Sequence, residues 1–346
     1  MTIPSAPSRS GRYERIEWEI GLPPKVCEVT LNFACNARCL FCYNPTEDPA
    51  FAARELSFSA AARALAAGRA DGCWVACLIG GEATLRRDLP ALARLARKLG
   101  YACVKVVSNG LRLADPDYAR ELSAAGVNCF NVSIHGASAA QHDRLVGVPG
   151  AFDKCLRALE NARRLGKEAG VDHVFTRLNF RDFPRYFEMM LVEREINYFN
   201  MIFPHYRGVM AAHVDELALS YREAAPFALA AMDLFSRRGL PALSRVLVNF
   251  PPCTVPGYEH LVADWEERTD GGEPMFAPGA AVQRLDAMKL AQRQKPAACG
   301  SCVYASRCQG VDREYLARHG EDEFVPLKTK PRPAPIKMAR AEARLS

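Results

Sequence analysis

One stretch decides the fold: Val29-Thr30-Leu31-Asn32-Phe33-Ala34-Cys35-Asn36-Ala37-Arg38-Cys39-Leu40-Phe41-Cys42-Tyr43. The apolar run Val26–Leu31 reads as a strand, and three thiols follow it within eight residues. Five further runs repeat the strand pattern: Cys73–Ile79, Ala102–Val107, Val127–Ile134, Val171–Arg177 and Tyr198–Phe203. Helix-length segments separate them: Ser59–Ala67, Asp88–Leu99, Asp115–Ala125, Phe152–Leu165 and Phe183–Val192, the first four each stopped by a glycine. Parallel neighbours need a crossover connection, so this alternation predicts an α/β fold: a partial (β/α)6 parallel barrel with helices outside and an apolar interior. In such a sheet the loop that leaves a strand at its C-terminal end is where active-site residues gather.

After Pro204 the rhythm ends. A helix is expected over Tyr221–Arg237, a short strand over Val246–Phe250 and a rigid turn at Pro251-Pro252-Cys253, followed by a polar stretch over 266–298 broken by glycine and proline. The domain reading is an N-terminal extension at 1–24, the barrel core at 25–215, a linker helix and a small C-terminal cysteine-rich module at 216–320, and a basic tail at 321–346.

The chain has 346 residues, 49% hydrophobic and 24% charged, enough to bury a sizeable core. That excludes disordered, collagenous and short disulfide-scaffold classes. No apolar run reaches the roughly 18 residues of a membrane helix, and the N-terminus lacks an apolar signal core, so a cytoplasmic protein without a membrane partner is expected. The net charge of +6 is concentrated in Lys328–Ser346, which holds six basic residues against Glu342. The remainder is nearly neutral, which argues against nucleic acid as a partner.

Thirteen cysteines are many for a reducing compartment, and an odd count there argues against a disulfide framework. Six are isolated in apolar segments (Cys27, Cys73, Cys77, Cys103, Cys129, Cys155) and read as small buried hydrophobes. The other seven are Cys35, Cys39 and Cys42, then Cys253 with Cys299, Cys302 and Cys308. Clustered cysteines in the cytosol indicate metal. Three thiolates can hold a cube-shaped iron–sulfur cluster that ordinarily takes four, which leaves one iron open to an outside ligand. A structural zinc site would want a fourth Cys or His nearby, and none is present in this stretch.

Cys-x3-Cys-x-Phe-Cys after a first strand resembles the signature of the radical S-adenosylmethionine (radical SAM) enzymes, over about residues 25–205. Further matches follow in order: Gly80-Gly81-Glu82 is similar to the family's methionine-binding GGE motif, and Ser108-Asn109-Gly110 ends the third strand. The resemblance implies SAM-binding roles for Phe41 beside the adenine, for Ser133 and Arg144 on the ribose or carboxylate, and for Asn179, Phe203 and Pro204 around ribose and adenine. It also implies an open-site 4Fe–4S cluster on Cys35, Cys39 and Cys42, S-adenosyl-L-methionine as cofactor, and an external one-electron reductant such as flavodoxin or ferredoxin.

The second group resembles the twitch and SPASM modules of radical SAM enzymes, although a full SPASM module has about seven cysteines and only four lie beyond residue 205 here. One auxiliary 4Fe–4S cluster on Cys253, Cys299, Cys302 and Cys308 is expected, with a four-cysteine zinc site as the alternative. Enzymes with this two-cluster layout suggest modification of a ribosomally made peptide. Oxidation or rearrangement of a small molecule (an alcohol, sugar or cofactor precursor) is the runner-up, and a non-catalytic iron–sulfur electron carrier is a third reading. Cys77, His135, His205, Tyr206 and Arg207 are candidates to face the barrel mouth, and no catalytic residue is singled out.

Overall fold

The computed structural model describes residues 25–196, 198–237, 246–264 and 272–332. The N-terminal extension and residues 333–346 of the basic tail lie outside the described residues. The central feature is an open nine-stranded sheet in which six parallel strands stand side by side in chain order: β1 (Val26–Thr30), β2 (Val75–Ile79), β3 (Cys103–Ser108), β4 (Cys129–Ser133), β5 (Glu168–Val174) and β6 (Tyr198–Ile202). Crossover helices α1 (Phe58–Ala70), α2 (Leu89–Lys98), α3 (Pro116–Ala124), α4 (Ala139–Val146), α5 (Ala151–Arg164) and α6 (Phe183–Glu188) connect them. Local chemistry sets their ends. Ser57 Oγ accepts the Ala60 N–H at 3.2 Å to open α1, and Asp115 accepts the Asp117 N–H at 2.9 Å ahead of Pro116.

Two departures from the sequence reading concern boundaries. Strand β5 begins three residues earlier than Val171, at Glu168, which pairs with Cys129. The apolar residues after Val174 go instead into a turn in which Asn179 Oδ1 accepts the Thr176 N–H at 2.7 Å. The stretch expected to be polar and broken contains β8 (Pro274–Phe276), β9 (Gln283–Arg284) and α8 (Leu285–Gln292). Strand β8 lies parallel to β1 and β7 (Leu247–Val248) parallel to β6, so chain from beyond residue 216 extends the sheet at both edges. Helix α7 (Tyr221–Arg237) precedes β7, and β10 (Arg293–Gln294), β11 (Val311–Asp312) and α9 (Arg313–His319) complete the C-terminal part.

Strand parity separates two faces. Cys27, Val29, Leu78, Val104, Val106, Phe130, Val132, Val171 and Phe199 belong to one continuous apolar core under the helices. The opposite parity carries Glu28, Cys77, Lys105, Asn131, Ser133, Glu168, Asp172 and Asn200. The expected apolar interior is therefore corrected: the inner face is polar, sealed at one end by a small cluster of Trp74, Val75, Cys103 and Cys129. The sheet curls around this face. Lys105 on β3 donates to Tyr198 Oη on β6 at 3.4 Å, although three strand spacings in a flat sheet come to about 14 Å.

Candidate metal centres

The loop after β1 is fixed from three sides by backbone hydrogen bonds. Toward β2, the Gly81 N–H donates to the Asn32 carbonyl at 2.7 Å and the Glu82 N–H to that of Ala34 at 2.8 Å. Toward α4, the Arg38 and Leu40 N–H groups donate to Val146 and Leu145 at 2.8 and 3.0 Å. From the third side, the Met210 N–H reaches the Cys42 carbonyl at 3.0 Å. Gly81 allows the first approach, since a Cβ there would sit 2.5 Å from the Ala34 carbonyl oxygen and closer still to that of Phe33. Gly147, at φ +66°, ends α4 against Arg38, whose carbonyl a Cβ would meet at 2.9 Å.

Inside this cradle the three thiols influence one another. Burial pushes Cys35 up to about 11, opposed by the Ala37 N–H that donates to its sulfur at 3.4 Å. Cys39 is raised well above the ordinary thiol range, first by burial and then by Cys35 and Cys42. Burial raises Cys42 as well. Three desolvated thiols on one short loop resist ionisation unless a cation neutralises them, and that is the donor chemistry a metal cluster needs.

Among the residues named from the resemblance, one set is gathered directly beside Cys35. Glu82 is buried, and its carboxylate accepts from Thr84 N and Oγ1, from Ser108 Oγ at 2.8 Å and from the Asn109 N–H at 2.7 Å. It ties the Gly80-Gly81 turn to the end of β3, and Ser108 is committed to the same tie. On another side, Phe41 packs edge-on against His135, with ring centroids 4.4 Å apart. Asn179 Nδ2 donates to the His135 carbonyl at 2.8 Å and to that of Val174 at 2.9 Å. Ser133 is half-buried at the end of β4, and Arg144 is an exposed partner of Glu216 at 2.6 Å. Phe203 stands apart from the group, buried and stacked on Tyr221 at 3.8 Å, with Pro204 buried next to it.

Sequence reasoning passed over Asn109, whose Nδ2 lies 2.8 Å from Asn36 Oδ1 and 3.8 Å from Cys35 Sγ; its place in the Ser-Asn-Gly triplet was the available signal. Cys155, read as a small buried hydrophobe, is buried in the apolar core, with its sulfur 3.1 Å from the Asn109 carbonyl and 3.6 Å from His142 Nε2. Of the candidates for the barrel mouth, Cys77 lies on the inner face, His135 and Tyr206 are buried, and His205 and Arg207 reach Asp312.

Cys253, Cys299, Cys302 and Cys308 line one pocket together with Pro251, Pro296 and Phe324. Burial pushes the Cys253 thiol up to about 12, with added repulsion from Cys308, Cys299 and Cys302. Short turns present the sulfurs: the Cys302 N–H donates to the Cys299 carbonyl at 3.0 Å, and the Gly310 N–H to Cys308 Sγ at 3.4 Å. The buried Arg293 guanidinium joins the contributing segments. It donates to Asp312 Oδ1 at 3.1 Å, Gln309 Oε1 at 3.0 Å and Asn249 Oδ1 at 2.6 Å. Asn249 in turn holds the Phe203 carbonyl at 2.9 Å, so this module is anchored at the end of β6. Among the described residues, no three His, Cys, Asp or Glu side chains are placed to hold a single metal ion. No described helix is long and apolar enough to cross a membrane.

The chain is similar to known proteins over part of its length. The chain is 30% identical over 210 residues to an Fe-coproporphyrin III synthase of Methanosarcina barkeri, covering 60% of this chain and 51% of that protein. It is 34% identical over 148 residues to a probable GTP 3′,8-cyclase of Saccharolobus solfataricus, covering 42% and 46%. The chain thus spans about half the length of the curated relatives it matches. The structure of native anSMEcpe with bound AdoMet superposes with a TM-score of 0.50 at 18% identity, over 62% of this chain and 61% of that one, a likeness of fold. Residues 29–190 match the sequence profile of the Radical SAM superfamily, the interval that contains all three cysteines of the first loop and the glycine turn that braces it. The likeness to that superfamily lies in this part of the chain.

Proposed function

We propose that the chain is a radical SAM enzyme with two iron–sulfur clusters. Cys35, Cys39 and Cys42 hold an open-site 4Fe–4S cluster, and Cys253, Cys299, Cys302 and Cys308 hold an auxiliary one of twitch or SPASM type. The observation that carries this reading is the braced loop, which locks three desolvated thiols between the glycine turn, α4 and the segment at Met210. When bound, the first cluster and S-adenosyl-L-methionine supply a 5′-deoxyadenosyl radical that takes a hydrogen atom from substrate.

This chain's own residues position the nucleotide and keep water out. The Gly80-Gly81-Glu82 turn and Ser108 frame the methionine end. Phe41 and Asn179 frame the adenine and ribose, Phe203, stacked on Tyr221, and Pro204 next to it being packed away from them, while Ser133 and Arg144 supply polar contacts, Arg144 by exchanging Glu216 for the nucleotide. Asn109 directs an amide N–H at Cys35 and steadies that sulfur. Four cysteines leave the auxiliary cluster without an open iron, which suits electron transfer rather than substrate binding.

Two substrate readings remain from the sequence, a peptide and a small molecule. The sequence relatives bear names of small-molecule enzymes, an Fe-coproporphyrin III synthase and a GTP 3′,8-cyclase, and this favours the small-molecule reading. A flavodoxin or ferredoxin as reductant and a cytoplasmic setting complete the proposal. The test is anaerobic reconstitution followed by reduction with dithionite. The wild type is expected to convert S-adenosyl-L-methionine to 5′-deoxyadenosine and Cys39→Ala to make none, and equal yields from the two would overturn the reading.

A further inference from the structure

Behind the first cysteine loop, a chain of side-chain contacts leads from two helices to one of its sulfurs. It begins at His142 on α4, which is buried. The His135 N–H donates to His142 Nδ1 at 3.0 Å, so the ring proton resides on Nε2. That nitrogen stands 3.6 Å from Cys155 Sγ on α5 and is the donor of the contact. The Cys155 thiol sends its own hydrogen onward to the Asn109 carbonyl at 3.1 Å, with the Ser133 carbonyl 3.8 Å away. Asn109 ends the chain, its Nδ2 2.8 Å from Asn36 Oδ1 and 3.8 Å from Cys35 Sγ.

These contacts need close packing, and a glycine permits it. Gly110, at φ +78°, follows Asn109, and a Cβ there would stand 3.2 Å from the Cys155 sulfur and 2.9 Å from Val132. Helix α5 therefore lies directly against the turn that carries Asn109. Other parts of Asn109 are held from elsewhere. Its N–H donates to Glu82 Oε2 at 2.7 Å, and its Oδ1 accepts the Leu111 N–H at 3.1 Å. Cys155 holds the main-chain carbonyl. A small apolar residue would fill the same volume, but a donor is needed to hold that oxygen.

We propose that Cys155, oriented by His142, is a positioning residue for the first cluster: through Asn109 it keeps an amide N–H aimed at Cys35 and so raises the reduction potential there. The proposal deepens the two-cluster reading and rests on it. A hydrogen bond to a ligand sulfur favours the reduced state, because it stabilises the negative charge that the added electron brings.

The test is an anaerobic one-electron titration of the reconstituted full chain with dithionite, followed by electron paramagnetic resonance. The first cluster is the signal that changes when S-adenosyl-L-methionine is added, and midpoints are then taken without it. Asn109→Ala is expected to lower the equilibrium constant for reduction about tenfold, a shift of about 59 mV to more negative potential. Cys155→Ala should lower it about threefold, or about 30 mV. Cys155→Ser keeps a donor and should recover at least half of that loss. His142→Asn keeps an acceptor near the Nδ1 position and removes the Nε2 donor. It should shift the midpoint in the same direction by a smaller amount. Added to Asn109→Ala, Cys155→Ala should bring no further change. The auxiliary midpoint should stay fixed throughout, and unfolding curves with iron content check that each variant is folded and loaded. The proposal is overturned by an unchanged midpoint in Cys155→Ala or His142→Asn, or by a Cys155→Ser midpoint as negative as that of Cys155→Ala. A full additional shift on top of Asn109→Ala, or an equal shift of the auxiliary cluster, overturns it as well. Should Cys155→Ala not load its cluster, the His142→Asn midpoint decides in the same sense. A wild type without any signal sensitive to S-adenosyl-L-methionine would instead remove the underlying reading.

Discussion

The two cysteine groups reach a similar end by opposite routes. The first takes three thiols from eight consecutive residues and holds them with main-chain hydrogen bonds to the glycine turn, α4 and the segment at Met210. The second takes Cys253 and, forty-six residues later, Cys299, Cys302 and Cys308, and holds them with side chains gathered on the buried Arg293. Backbone bracing tolerates most side-chain changes and fails where a Cβ intrudes. A buried ionic hub behaves the other way, because removing one member leaves the rest as uncompensated charge. The difference makes each site separately breakable.

The largest effect is expected from the sulfurs. Cys39→Ala should abolish 5′-deoxyadenosine formation and remove about four irons per chain, while Cys308→Ala should remove about four irons and leave S-adenosyl-L-methionine cleavage intact. Iron and sulfide analysis beside product assay checks both, and loss of all iron from either variant would mean that the sites are not independent. Next comes the hub. Arg293→Met leaves Asp264 to Lys289 and Asp312 to His205 and Arg207, and should cost about 3 kcal/mol in denaturant unfolding, with the auxiliary cluster lost before the first.

Acid should act on the same hub. Burial alone would raise the Asp312 carboxyl, but the His205 contact and Arg293 outweigh it and hold it at about 2. A depressed carboxyl stabilises the fold above its unfolded value near 3.8, and that stabilisation is lost as pH falls from about 4 to 2. It amounts to about 2 kcal/mol, and Asp312→Asn should remove this part of the acid dependence. On the other side of the comparison, Gly81→Ala places a methyl group against the Phe33 and Ala34 carbonyls. It should cost about 1–3 kcal/mol and lower occupancy of the first cluster alone. The smallest stability effect belongs to Arg144→Ala, under about 1 kcal/mol for an exposed pair. Its affinity for S-adenosyl-L-methionine should nevertheless drop about tenfold, as measured by equilibrium binding.

The legibility of the molecule followed the same division. Helix and strand alternation, the glycine stops and the first cysteine spacing are local features; β1, β2, β4 and β6 lie within the runs their apolar residues marked, and β3 overruns its own by Ser108. Strand β5 slipped because the apolar character of Phe175 continued past its end into the Thr176–Asn179 turn, which only a side-chain hydrogen bond defines. In the candidate site, Cys35, Gly81 and Ser108 were readable from their motifs. The role of Glu82 as a tie between strand ends, the position of Asn109 and the approach of Cys155 depend on which loops stand next to each other.

The sequence by itself determined the parallel α/β core and the first cysteine loop, because hydrogen-bonding periodicity, turn glycines and closely spaced thiols act over a few residues. Only the tertiary structure decided that β8 flanks β1 and that Glu28, Lys105, Asn131 and Asp172 share the inner face of the sheet. A single charged residue in a strand shows no sign of its neighbours, and its meaning appears once the sheet curls and brings distant strands within electrostatic reach.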